Sequence, residues 1–267
     1  MRTALAILLL WLVAALAAPL FSGMAVRVDL PGILATPGPD AVLGRDELGR
    51  DVLARLLAGA GVALWVSLLV VSISALCGSL IGLLAGYLGG WTDRLVSRVI
   101  DVFLAFPGIL LAIALAAALG PGLGNLVLAL SLMGWVGFAR LARAQAMSLR
   151  QREHVQAAIA LGAGHGRIIG RHLLPLTLAP LLVEVSFGIA NVVVAEAGLS
   201  FLGLGVQPPA ASWGSMIRDG VRYMLVAPHL VLAPGLALCL VVFAANRLGD
   251  GLRDRLDRAG QLSAQRT

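Results

Sequence analysis

The sequence predicts an all-α membrane protein with six transmembrane helices, and three observations carry that prediction. Apolar residues make up 59% of the 267 and charged residues only 13%, about half the charged share of an ordinary soluble domain, and the mean hydropathy is +0.93. Long charge-free intervals recur along the chain, each able to supply the roughly 20 apolar residues that a spanning helix needs. The 32 glycines suit close helix contact in lipid.

The spans follow from the charge gaps. The first runs from Ala4 to about Phe21. Arg2, the apolar run and Ala15-Leu16-Ala17 also resemble a secretory signal with its small-residue cleavage site, but the run continues to Phe21, which favours a retained helix. The second span occupies much of the interval between Arg55 and Asp93. Val102 to Ala139 is again free of charge and holds two helices, joined by a tight turn at Gly120-Pro121-Gly122-Leu123-Gly124-Asn125. The fifth covers Leu176 to Ala197 despite Glu184 and Glu196, and the sixth runs from Ala227 to Asn246.

Every basic residue is an arginine, and the arginines lie between spans. With the N-terminus inside, Arg27, Arg45, Arg50, Arg55, Arg218 and Arg222 fall outside, leaving fourteen of the twenty in the cytoplasm. The positive-inside rule therefore puts both termini in the cytoplasm. This distribution explains the net charge of +6 better than nucleic-acid binding, which needs a basic face.

Two outer segments are too long for turns: Ser22 to about Gly59, and Ser200 to about Val226. Arg45 to Leu57 ends in a short amphipathic helix pattern suited to the membrane interface. Pro208-Pro209 shapes the second segment, where Trp213 and Tyr223 are expected as interface anchors. Cys77 and Cys239 sit in apolar runs and are expected as packing residues.

Between spans four and five lies a cytoplasmic segment of Arg-rich, polar character. Arg150-Gln151-Arg152-Glu153-His154 leads into Val155-Gln156-Ala157-Ala158-Ile159-Ala160-Leu161-Gly162-Ala163-Gly164, a short helix pattern with glycine at its C-terminal end. Ala158 and Gly162, four apart, predict a small-residue face on which a partner could close.

Gln156-Ala157-Ala158, then Gly162, then His172-Leu173-Leu174-Pro175 resembles the EAA loop of ABC importer permeases. Leu43 to Asp51, Ile100 to Pro107, Ala195 to Gly214 and Gly249 to Asp257 are similar to further motifs of the peptide and nickel branch of that family, in the same order. The departure is Gln156, where the family usually carries glutamate.

The resemblance implies the type I importer permease fold. Its first helix would span 1–22, an extracytoplasmic segment 23–59, and a permease core 60–267 with a coupling loop at 140–175. Glu153, Gln156, Ala157, Ala158, Leu161, Gly162 and Ala163 would couple the chain to an ATPase. Glu184, Asn191 and Glu196 are expected along the substrate path, and Arg45, Arg50, Trp213 and Arg218 against a binding protein. The implied partners are a second homologous permease, two cytoplasmic ATPase subunits, an extracytoplasmic binding protein and membrane lipid, in a bacterial inner membrane. Di- or oligopeptide is the implied cargo, with nickel or another small solute as the alternative. ATP and magnesium would sit on the partners, since a chain without lysine has no phosphate-loop lysine of its own.

Other classes fit less well. A secondary transporter would use intramembrane carboxylates in pairs, and none are paired here. A membrane hydrolase needs a converging nucleophile, base or metal set. His154, His165 and His172 on one loop and His229 across the membrane do not make one site.

Overall fold

The computed structural model describes residues 1–264, with side-chain surroundings through Leu256. Arg266 and the side chains of Asp257 and Arg258 lie outside the described residues. The helices are α1 (Arg2–Val26), α2 (Val52–Leu88), α3 (Gly90–Leu104), α4 (Gly108–Leu119) and α5 (Leu123–Leu149), followed by α6 (Glu153–Ala160) and α7 (His165–Ile168). A π-helical turn at Ile169–Leu173 runs on into α8 (Leu174–Phe201), and α9 (Trp213–Val221) and α10 (His229–Ala264) complete the order. Among the described residues five helices are long and apolar enough to cross a membrane, or six if the bent pair α3 and α4 counts as one span.

That pair differs from the expected third span. α4 has 12 residues, only about 18 Å at 1.5 Å per residue, against a hydrocarbon core of about 30 Å. α3 meets it at 85°. The break falls at Phe106-Pro107, where proline removes a helical N–H and disfavours helical geometry in the residue before it. The turn between α4 and α5 forms as expected. Gly120 and Gly122 take φ of 83° and 139°, and the Asn125 amide donates to the carbonyls of Leu119 (2.7 Å) and Gly120 (3.1 Å), closing the end of α4.

A second correction concerns Arg45 to Leu57. No separate interfacial helix forms there, because Val52 already opens α2 and both Arg50 and Arg55 are buried. Cys77 and Cys239 are exposed on this chain rather than packed within it.

The chain forms two compact units. One contains Met1–Leu69, Ile113–Leu130 and Ile189–Leu248. Its core gathers Trp11, Ala15, Val52, Ala60, Ala63, Val193, Trp213, Met216, Leu230 and Val241. Small residues let the backbones approach, and Trp11 Nε1 donates to the Ala60 carbonyl at 3.2 Å. A Cβ on Gly59 would lie 2.7 Å from Cδ1 of Trp213.

The other unit contains Val70–Ala112, Ser131–Gly188 and the chain from Gly249. Leu83 and Tyr87 of α2, Ala142, Ala146 and Leu149 of α5, Val155, Ile168 and Leu173 form one cluster. Ile100 with Val136 and Ala139 forms a second, extended by Val96, Phe103 and Trp135. Arg143 of α5 makes a bidentate ion pair with Asp93 of α3, one arm being Nη2 to Oδ2 at 2.8 Å.

Candidate functional site

Glu153 to Ala160 folds as a helix because a run of good helix formers follows Arg152, which is held extended at φ −71°, ψ 143°. Glu153 places a carboxylate in the first turn, where the helix dipole favours it. At the other end Gly162 has φ +80°. The Ala163 N–H donates to the Ala158 carbonyl (3.0 Å) and the Gly162 N–H to that of Ile159 (2.9 Å). These two bonds and the left-handed glycine form a Schellman cap.

This corrects the expected small-residue face. Gly162 lies beyond the last helical residue and terminates α6; it does not extend the helix surface that carries Ala158.

α6 is seated by one fully buried side chain, Val155, in the cluster that holds Tyr87, Leu149 and Leu173. Around it the chain ends are tied. Arg150 Nη1 lies 3.4 Å and 3.3 Å from the carbonyls of Gly86 and Tyr87, which end α2. Tyr87 Oη and His165 Nδ1 are 3.0 Å apart, with the rings edge to face. Gln156 Nε2 donates to the Arg150 carbonyl at 2.7 Å. Glu153, Gln156 and Ala157 face outward, Ala158 and Ala163 are half-buried, and Leu161 is 89% exposed. Tyr87, Arg150, Gln156, Ile159 and His165 line an open groove of about 470 Å³ beside them. A short helix with a rigid base, a protruding leucine and a neighbouring groove can seat a protein partner.

The other candidates divide between exposed and internal. Asn191 is exposed and Glu184 is half-buried. Glu184 stands against Gly137 of α5, where a Cβ would lie 2.9 Å from its Oε1. Glu196 is 1% exposed, and its Oε1 accepts from Ser200 Oγ at 2.7 Å. It is therefore a packing group in this chain and not a lining residue.

Arg45 pairs with Asp29 at 2.8 Å and remains partly accessible, as does Arg218 beside Asp219. Arg50 and Trp213 do not. Arg50 is buried between Asp46 and Glu47, both at 2.7 Å, and Trp213 is 2% exposed, with Nε1 donating to the Leu56 carbonyl at 3.0 Å. Neither can serve as a contact residue or an interface anchor; both hold the first unit together.

Residues 78–259 match the family described as the binding-protein-dependent transport system inner membrane component. The chain belongs to that family. Similar permeases include one in Brucella suis biovar 1 named for a peptide transport system, 44% identical over 257 residues, covering 96% of this chain and 86% of that one. The dipeptide transport system permease protein DppC of Alkalihalophilus pseudofirmus is 41% identical, with 84% and 74% covered. The glutathione transport system permease protein GsiD of Escherichia coli is 45% identical, with 80% and 71% covered. Among solved structures, an inward-facing conformation of the MetNI methionine ABC transporter superposes with a TM-score of 0.57 at 19% identity, covering 74% of this chain and 96% of that one. The fold is that of an ABC importer permease.

Reading the permease sequence alone missed Val155, Arg150, Tyr87 and His165. Val155 carried a signal, being a β-branched residue at the start of an otherwise alanine-rich helix. The contacts of Arg150 and the Tyr87 to His165 pair join residues more than 60 positions apart and leave no local trace.

Proposed function

We propose that this permease is the transmembrane subunit of an importer of di- or oligopeptides, and that cytoplasmic ATPase subunits drive it through α6. The observation that carries the proposal is the outward face of α6. Leu161 and Ile159 present apolar surface beside polar Gln156 and Glu153 on a helix anchored by Val155 and stopped by Gly162. Leu161 at the C-cap, with Ile159 beside it, gives this short helix an apolar tip that can enter a partner's groove.

ATP and magnesium would reside on the ATPase subunits, a second permease would complete the pathway, and an extracytoplasmic binding protein would deliver cargo to the segments around Arg45 and Arg218. The arginine distribution supports an orientation with both termini in the cytoplasm. Similar permeases named for peptide, dipeptide and glutathione transport support a peptide cargo.

The experiment is ATP-driven uptake by the assembled transporter in proteoliposomes, with Leu161→Glu as the variant. Loss of uptake and of ATPase co-purification, with the subunit still in the membrane, is the expected outcome; full uptake overturns the docking assignment. Competition of labelled peptide uptake by unlabelled peptides and by nickel tests the cargo.

A further inference from the structure

We propose that α3 lies in the plane of the membrane interface and that Arg94 and Arg98 hold the headgroup of an anionic phospholipid. The geometry starts from the bend. α4 is apolar throughout, and α3 runs at 85° to it, so when α4 enters the bilayer α3 lies across its mouth.

The two sides of α3 then read differently. At 100° per residue, Asp93, Val96, Ser97, Ile100 and Phe103 share one side. That side faces α5, through the Asp93 to Arg143 pair and the edge-to-face contact of Phe103 with Trp135 at 5.6 Å. The opposite side is exposed and itself split. Trp91, Leu95 and Val102 form an apolar sector, with Trp91 69% exposed, and Arg94 and Arg98 line one edge of it with Asp101 beside them.

A water-facing helix would not expose tryptophan, leucine and valine in one row, and a spanning helix would not carry two arginines on its free side. An interfacial helix needs both. Its apolar sector enters the acyl boundary, and arginine stems snorkel until the guanidinium groups reach phosphate level. Among the described residues no carboxylate lies within ion-pair distance of Arg94 or Arg98, so both retain donors for a phosphodiester. Planar guanidinium pairs with phosphate bidentately, and each basic side chain adds to the preference for anionic lipid.

The occupant is thus a phospholipid of the leaflet, chosen over a protein because the apolar sector is continuous with a membrane-entering helix. The test uses the complete transporter in nanodiscs of phosphatidylcholine mixed with phosphatidylglycerol. Native mass spectrometry should find phosphatidylglycerol retained over phosphatidylcholine by on the order of tenfold, and Arg94→Gln with Arg98→Gln should remove the preference. Brominated phosphatidylcholine should quench Trp91, read as the difference from Trp91→Phe. Equal retention of the two lipids, a preference unchanged in the double variant, or an unquenched Trp91 overturns the proposal. The quenching arm needs no arginine variant, so a misfolded double variant leaves it intact.

Discussion

Gln156 Nε2 donates to the Arg150 carbonyl at 2.7 Å, bridging the first residue after α5 to the first turn of α6. A carboxylate in its place has no proton to donate to a carbonyl oxygen. Gln156→Glu and Gln156→Ala should therefore both loosen the 150–156 loop, by about 1 kcal/mol, the usual net worth of one hydrogen bond. Amide hydrogen exchange of Gln151 to Val155 should quicken roughly fivefold in each variant. Unchanged exchange in Gln156→Glu would show that the bond restrains nothing.

Gly162 sits at φ +80° with nothing within 4 Å of where a Cβ would be. Substitution there is conformationally strained but sterically free, and the strain is about 1–2 kcal/mol for alanine and less for asparagine. Gly162→Ala should reduce ATPase co-purification more than Gly162→Asn. Equal losses would point to crowding by a partner and away from the backbone as the cause.

Arg143 and Asp93 join α5 to α3 through two parallel bonds. Their side chains are only partly shielded, so solvent screening keeps the pair modest, and about 1 kcal/mol is expected. Arg143→Lys supplies charge without the fork and should recover little of it. A double-mutant cycle with Asp93→Asn, read by thermal unfolding in detergent, should give a coupling of about that size; zero coupling would refute it.

Two glycines should respond to alanine with opposite signs. Gly214 packs directly on the backbone of Ala197, which cannot move aside as a flexible side chain can, so Gly214→Ala should destabilise by about 1–3 kcal/mol. Gly23 in α1 has nothing within 4 Å, and Gly23→Ala should raise stability by about 0.5–1 kcal/mol through helix propensity. A melting temperature that does not fall in Gly214→Ala would contradict the packing there, and one that falls in Gly23→Ala would contradict the open space at Gly23.

Much of the fold was legible because a bilayer writes itself into composition. The charge gaps placed α1, α2, α5, α8 and α10, and Gly120 to Asn125 marked its turn. The bend before α4 was not legible from hydropathy, since Val102 to Leu104 is as apolar as the span that follows; only Pro107 and the spacing of Arg94 and Arg98 hinted at it. α6 was visible as a pattern, but the role of Gly162 depends on a backbone dihedral that spacing alone cannot distinguish from a small side face. Trp213 failed differently. A tryptophan near a charged stretch reads the same at an interface as in a core, and its partner Leu56 is 157 residues away.

Val155 ends the matter of how a push could travel. It is the one fully buried side chain of α6, and it sits in a cluster with Leu83 and Tyr87 of α2, Ala142 and Leu149 of α5, and Leu173 just ahead of α8. If ATPase subunits push on α6 as proposed, a load at Leu161 reaches three long helices through Val155, beside the Gln156 to Arg150 tie. They would be displaced together, with α6 as a short lever arm pivoting about the isopropyl group of Val155 and the tie to Arg150.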